Sequence, residues 1–356
     1  MEQQPIRVLV VEDSPTQREL IVAILKAAGG FSVVGTADNG GTAVSSTLAL
    51  RPSVIAMDVH LPIMDGYEAT RQIMQRCPTP IVMFSNSAGD ADKRSMQALA
   101  AGALAVVRKP GGLLSATGTA ERDTFLRMMR LMAGVRVVTR HSPRSVTPIS
   151  MPALTTPGSP PEVVAVAAST GGPAALQTLL SGLGPVFPLP ILVVQHIARG
   201  FTAALVDWLA SVVPLPTRIV KAETRLLAGH VYFAPDDAHL VVSGRHLARP
   251  QPCLPDDRYS PSADLLFETV ARFYGARAVG VIMTGMGDDG ANGLARMRQA
   301  GAATFGQDEA TCVVYGMPQA ARAMGAVALT LPLGGLAAAV LTTVANVEPA
   351  RMRVER

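Results

Sequence analysis

The run from Val163 to Pro173, V-V-A-V-A-A-S-T-G-G-P, carries a lone serine, Ser169, between an apolar segment and two glycines and a proline that open a helix. A hydroxyl there stands beside the free amides of a helix N-terminus, where a nucleophile and donors for an oxyanion can share one site. Strand-end serines mostly cap helices, so this window alone does not make a catalyst. Two further apolar runs supply partners. Ile191 to Gln195 stops at His196, and Ala278 to Met283 leads through Thr284-Gly285-Met286-Gly287 into Asp288 and Asp289. Serine, histidine and aspartate at three strand ends suit acyl transfer: a nucleophile, a base, and a carboxylate that orients the base and balances its charge. On chemistry alone either aspartate can be that carboxylate, the other capping the helix from Ala291.

A second set lies nearer the N-terminus. Glu12 and Asp13 follow one apolar run, Asp58 ends another, Ser85 a third, and Lys109-Pro110 follows a fourth. Clustered carboxylates repel one another unless a hard divalent cation such as Mg²⁺ sits among them. A lysine and a hydroxyl nearby then suit a phosphoryl group carried on one carboxylate.

These residues converge only if parallel sheets hold them, since ligands of open α/β sheets bind outside the carboxyl ends of the strands. The first block reads as strands near Arg7–Val11, Ser32–Gly35, Val54–Asp58, Ile81–Ser85 and Ala105–Val107, alternating with helical patterns and closing on a helix around Glu121 to Met132. Residues 134–161, rich in Pro, Ser, Thr and Arg, read as a linker whose basic residues Arg136, Arg140 and Arg144 are solvating. The second block alternates strand and helix again. Its middle, Gly229 to Phe233 and His239 to Arg249, predicts short antiparallel strands inserted into a parallel fold.

The 356 residues give room for two cores, and 49% hydrophobic with 4% aromatic content suits aliphatic sheets under helices. A formal charge of +4 is not a nucleic-acid signature, and the second block shows no helix-turn-helix pattern. Cys77, Cys253 and Cys312, odd in number and without metal-ligand spacing, read as reduced structural thiols of a cytosolic protein. The chain enters its first strand with no signal-peptide pattern. The apolar tail from Leu333 to Val347 is too short for a bilayer and predicts a packed terminal helix.

One rival reading is that Gly285-Met286-Gly287-Asp288-Asp289-Gly290 matches G-x-G-x-x-G, with Asp308 about where a ribose ligand would lie. Two aspartates inside the loop would oppose the attraction of a helix N-terminus for pyrophosphate. A cation is the better partner, and an imidazolium at His196 is one. His60, His141, His230, His239 and His246 read as structural.

M-D-V-H-L-P-I-M-D-G around Asp58, with V-E-D near the start and K-P at Lys109, resembles the receiver domain of two-component response regulators over roughly residues 5 to 133. The resemblance implies Asp58 as phosphoacceptor and Mg²⁺ held by Glu12, Asp13, Asp58 and the backbone carbonyl of His60. It also implies Ser85 as the switch hydroxyl and Lys109 as the lysine that contacts the phosphoryl group. His60 stands where such domains often carry glutamate.

A-S-T-G-G-P, V-V-Q-H, V-Y-F-A-P-D-D-A-H-L, P-S-A-D-L-L-F, I-M-T-G-M-G-D-D-G-A and Q-D-E-A-T-C-V-V-Y-G-M-P resemble, in that order, the catalytic domain of chemotaxis protein-glutamate methylesterases. Behind a receiver they are similar to one type, the CheB family. The resemblance implies two doubly wound parallel-sheet α/β domains: a flavodoxin-like receiver at 1–133 and, after the linker 134–161, a larger Rossmann-like methylesterase domain at 162–350. It implies Ser169 as nucleophile, His196 as general base and Asp289 as the orienting carboxylate. Met286 is implied in the oxyanion hole through its backbone amide, with Thr170 close by. The implied reaction is hydrolysis of glutamyl methyl esters on the cytoplasmic helical bundle of methyl-accepting chemotaxis receptors, releasing methanol without a cofactor. Many relatives also deamidate receptor glutamines by the same route. The implied partners are those receptors and a histidine kinase of the CheA type as phosphodonor, with no nucleic acid and no membrane insertion, for a cytoplasmic monomer.

Overall fold

Short, mainly apolar runs form the inner strands of two parallel sheets, because a strand covered by helices on both faces has no solvent side and loses the alternating polar positions of a half-exposed one. The structure is a computed structural model that describes residues 4–85, 96, 99, 102–110, 118–135 and 160–345. The first sheet contains β1 (Ile6–Val11), β2 (Phe31–Ala37), β3 (Val54–Asp58), β4 (Ile81–Ser85) and β5 (Ala105–Arg108), all parallel, in the order β2-β1-β3-β4-β5. Helices α1 (Pro15–Ala27), α2 (Gly40–Leu50), α3 (Gly66–Arg76) and α4 (Gly118–Ala133) accompany it. Ser14, Asn39 and Asp65 cap the first three of these helices by accepting the amides of Gln17, Thr42 and Glu68. Strand order reverses between β1 and β3, so the crevice for a ligand opens where Glu12, Asp13 and Asp58 emerge. The stretch read as a linker, 134–161, lies outside the described residues except at its ends.

The second block contributes β6 (Val163–Ala168), β7 (Ile191–Gln195), β8 (Thr217–Ile219), β9 (Thr224–Arg225), β10 (Val231–Phe233), β11 (Ala238–Gly244), β12 (Leu247–Pro252), β13 (Ala278–Ile282), β14 (Ala303–Gln307) and β15 (Leu329–Leu331). Seven of them form a parallel sheet in the order β15-β14-β13-β6-β7-β10-β8. The helices of this block are α5 (Gly172–Leu183), α6 (Thr202–Val212), α7 (Ala263–Tyr274), α8 (Ala291–Gln299), α9 (Met317–Ala323) and α10 (Leu333–Val344). The expected terminal helix is α10, which packs on α5, and no described helix is long and apolar enough to cross a membrane.

One expectation is corrected. The segment Gly229 to Phe233 is not an antiparallel insertion: Val231, Tyr232 and Phe233 pair in parallel with both β7 and β8. All three are buried, which is the mark of a strand inside a covered sheet, and the shortness that suggested a hairpin reflects only how little of it pairs. The antiparallel element is the hairpin β11–β12, extended by β9.

Register brings the first three site segments together. Ala168 pairs with Gln195 and Ala167 with Ile282, so Ser169, His196 and Met283-Thr284 leave the sheet side by side. The strand order turns at β6, with β7 on one side and β13 on the other, which makes its carboxyl end the switch point of this sheet.

Candidate active site

Ser169 is half-buried at the first position beyond β6, held by its own backbone. Its amide donates to Thr284 O at 3.0 Å, and its carbonyl accepts the amide of Gly172 at 2.8 Å and Nε2 of Gln195 at 2.8 Å. Two glycines allow this tight packing. A Cβ on Gly285 would lie 2.7 Å from Ser169 Cβ, and one on Gly172 would lie 1.9 Å from Gln195 Oε1. Thr284 is fully buried and ties the serine turn to the neighbouring loop: its hydroxyl donates to Thr170 O at 2.9 Å and accepts the amides of Val313 and Val314, each at 3.0 Å.

His196 follows β7, and its Nε2 lies 2.8 Å from Asp289 Oδ2. Asp289, 1% exposed, is otherwise surrounded by donors. Oδ2 accepts the Ala263 amide at 2.7 Å, while Oδ1 accepts the Asp264 amide at 2.9 Å and the Ser262 hydroxyl at 3.1 Å. These amides begin α7, so the carboxylate sits where the helix presents unsatisfied N–H groups. Burial acts against its charged form, yet the bonds to His196 and to the α7 amides outweigh it and hold the carboxyl below the usual carboxylate range. Asp288, the adjacent acid, turns elsewhere: it accepts Tyr259 OH at 2.8 Å and pairs with Arg258 at 3.2 Å. Met286 is half-buried between Gly285, whose amide donates to Val314 O, and Gly287. Asp308 accepts the Thr311 amide at 3.0 Å and so closes a local turn.

In the first sheet Glu12 and Asp58 are buried and Asp13 is exposed. Lys109 Nζ lies 2.7 Å from Asp58 Oδ2 and 3.1 Å from Glu12 Oε2. Burial pushes both carboxyls up from their ordinary values, with the neighbouring Asp58 charge adding to the effect on Glu12 and with Lys109 opposing it on both. For Lys109 burial opposes the cation, but hydrogen bonds and charge from Asp58 and Glu12 prevail and raise its pKa. The carboxylate oxygens of Glu12, Asp13 and Asp58 lie within 4.8 Å of one another, and the buried Glu12 Oε2 has the Lys109 ammonium as its ion-pair partner. His60 is exposed and donates its amide to Asp58 Oδ1 at 3.3 Å. Ser85 closes β4, and its side chain lies outside the described residues.

Sequence reasoning missed several residues around Ser169 and His196. Tyr259 stacks on the His196 ring, centroids 5.4 Å apart and planes within 4°. Nothing in the spacing signals it, because it reaches the site from a loop between β12 and α7. Ser262 was legible, since a serine ahead of Ala263-Asp264 and an apolar run is an N-cap pattern. Gln195 and Gln307 were hidden as strand-end polar residues, yet Gln307 Oε1 accepts the Thr284 amide at 2.8 Å.

Family comparison matches residues 164–340 to the CheB methylesterase family and residues 8–115 to the response regulator receiver domain. The protein-glutamate methylesterase/protein-glutamine glutaminase 4 of Myxococcus xanthus (strain DK1622) is 47% identical over 324 residues, which cover 89% of this chain and 91% of that protein. The chain belongs to the CheB methylesterase family. A second member, methylesterase/glutaminase 3 of Anaeromyxobacter dehalogenans (strain 2CP-C), is 46% identical over 90% of this chain and 94% of its own. Both matches cover about nine-tenths of this chain, so the similarity extends across both blocks and is not confined to one.

Proposed function

We propose that this chain is a serine esterase, regulated by phosphorylation, that hydrolyses glutamyl methyl esters of chemotaxis receptors in the cytoplasm. Residues 1–133 act as receiver, 134–161 as the connection and 162–350 as the catalytic domain. The observation that carries the reading is the His196–Asp289 pair at 2.8 Å beside Ser169 at the switch point of the larger sheet. Asp289 accepts a hydrogen bond from Nε2–H, which keeps the proton on that nitrogen and leaves Nδ1 to take the Ser169 proton. Ser169 Oγ attacks the ester carbonyl and forms a tetrahedral intermediate. His196 returns the proton to the departing methoxide, methanol leaves, and water hydrolyses the acyl-serine by the same base to give glutamate and free serine. The family resemblance implies the Met286 amide, with Thr170 close by, as the oxyanion donor, and the neighbouring Gly285 and Gly172 amides are engaged by Val314 O and Ser169 O. The relatives' names join this activity to a glutaminase. The same attack on a glutamine amide would expel ammonia and demands more of His196 as an acid.

Asp58 is the proposed phosphoacceptor, for a histidine kinase as donor. Glu12, Asp13 and Asp58 fit Mg²⁺ because they bring hard carboxylate oxygens within 4.8 Å of one another, two of the three residues being buried. Bound there, with the His60 carbonyl as a further ligand, the ion would offset negative charge in the pocket. Lys109 holds one Asp58 oxygen, and Ser85 is the hydroxyl proposed to follow the phosphoryl group. The test is methanol release from methylated receptor membranes, with and without a small-molecule phosphodonor. No release under either condition would overturn the assignment.

A further inference from the structure

His239 lies on β11 and is 3% exposed. Both of its ring nitrogens are engaged. Nδ1 faces the Ser262 amide at 3.0 Å, and a peptide N–H can only donate, so Nδ1 accepts and the proton resides on Nε2. Nε2 therefore donates to Asp257 Oδ2 at 2.8 Å, an oxygen that also accepts the Leu254 amide at 2.6 Å. These bonds tie the middle of the loop 253–262, at Asp257, and its last residue, Ser262, to the hairpin.

That loop supplies the ring stacked on the base and part of the cradle of its carboxylate. Its last residue, Ser262, gives its hydroxyl to Asp289 and starts the turn whose next two amides reach the same carboxylate. Tyr259, in its middle, lies flat on His196. An apolar residue at position 239 could fill the volume but would leave the Ser262 amide without its acceptor. A buried donor left so costs about 1–3 kcal/mol, and the turn would shift to find another partner.

We propose that His239, paired with Asp257, is a positioning residue of the esterase, a second His–Asp pair that fixes the Ser262 turn and with it the Asp289 carboxylate and the Tyr259 stack on His196. The proposal rests on the triad reading above. His239, Cys253 and Asp257 also bring ligand atoms within 4.8 Å of one another, as a metal site would. A proton on Nε2 occupies the atom that a metal would need, so the bonding favours the dyad.

The test uses the full-length protein with phosphodonor and methylated receptor as substrate. His239→Leu, His239→Asn and Asp257→Asn are compared with wild type, each alone and combined with Asp289→Asn. Loss of kcat of about 10- to 100-fold is expected for His239→Leu, with KM within about threefold, because the change acts on the reacting geometry rather than on substrate binding. His239→Asn should recover much of it, since its amide oxygen can accept the Ser262 amide near the place of Nδ1. In the Asp289→Asn background, His239→Leu should cost under about threefold more, as expected for residues that act through one group. Thermal unfolding monitors folding. Should His239→Leu not fold, Asp257→Asn, whose side chain is 29% exposed, carries the same comparison with a smaller drop in kcat. Full multiplicative losses with Asp289→Asn, or a fall in activity that matches the unfolded fraction, would overturn the positioning role alone. Stoichiometric Zn²⁺ binding lost in Asp257→Asn would overturn it in favour of a metal site. Wild-type turnover in Asp289→Asn by itself would overturn the triad reading and this proposal with it.

Discussion

At the residue scale, two adjacent acids have opposite surroundings. Asp289 is buried among a histidine, a hydroxyl and two helix amides, while the Asp288 side chain is 49% exposed and paired with Arg258 and Tyr259. Asp289→Asn is expected to lower turnover by about 10²- to 10⁴-fold, because the amide cannot balance an imidazolium at His196, whereas Asp288→Asn should stay within about tenfold of wild type. Methanol release measures both, and a reversed order would shift the triad by one residue. Ser169→Ala should abolish release with unfolding unchanged, since removing a half-buried hydroxyl at a cleft costs little stability. Asp289 also sets an acid limb. Its folded pKa lies below its unfolded value of about 3.9, so the unfolded state binds more protons as pH falls. Its contribution to stability is full above about pH 4 and is lost as pH drops through the folded pKa. Asp289→Asn should therefore flatten the fall in thermal midpoint of the catalytic domain below about pH 4, as read by calorimetry.

At the scale of elements, strand ends aim the groups and glycines let them approach. Gly285 is the clearest case, because a methyl there would meet Ser169 Cβ at 2.7 Å and the Ser169 backbone nitrogen at 3.1 Å. Gly285→Ala is expected to destabilise the catalytic domain by about 1–3 kcal/mol through overpacking. It should also lower kcat more than it changes KM, because the serine itself must move. A denaturant midpoint and steady-state kinetics check the two effects, and wild-type kcat would show that the serine turn tolerates displacement. The four wholly buried residues of β7 that precede Gln195 belong to the same logic: they anchor the strand so that His196 emerges beside Ser169 in fixed register.

For the whole molecule, a receiver and an esterase on one chain would make activity a function of Asp58, the proposed phosphoacceptor. Tethering keeps the two at high effective concentration, so a weak regulatory interaction suffices, and a phosphoryl group on Asp58 changes the charge of a pocket already crowded with Glu12 and Lys109. A phosphodonor is expected to raise methanol release by the intact protein but not by Asp58→Ala. A fragment beginning near Met151 should exceed the intact unphosphorylated protein. Equal activity of the two, with no response to phosphodonor, would leave the receiver only a targeting role. Chelation of Mg²⁺ should remove the stimulation while leaving the fragment's activity unchanged, and a fall in the fragment would place a metal in the esterase reaction instead.

Much of this was legible in the residues themselves. Wholly apolar strands announce covered parallel sheets, and polar residues at their carboxyl ends announce where a site must open, because periodicity and strand polarity are local properties. Hence Ser169, His196, Glu12, Asp58 and Lys109 stand out as candidates from their places at strand ends, while their roles come from the family resemblance. The tertiary structure decided what depends on neighbours distant in sequence. Spacing cannot separate Asp288 from Asp289, since the difference lies in which of them meets the first amides of α7 and which meets Arg258 and Tyr259. Nor can it assign Val231 to Phe233 to the main sheet, because three residues carry too little period to declare their partners. His239 looks in sequence like any core histidine. Only the packing of β11 against the loop 253–262 gives its two nitrogens an acceptor's and a donor's task.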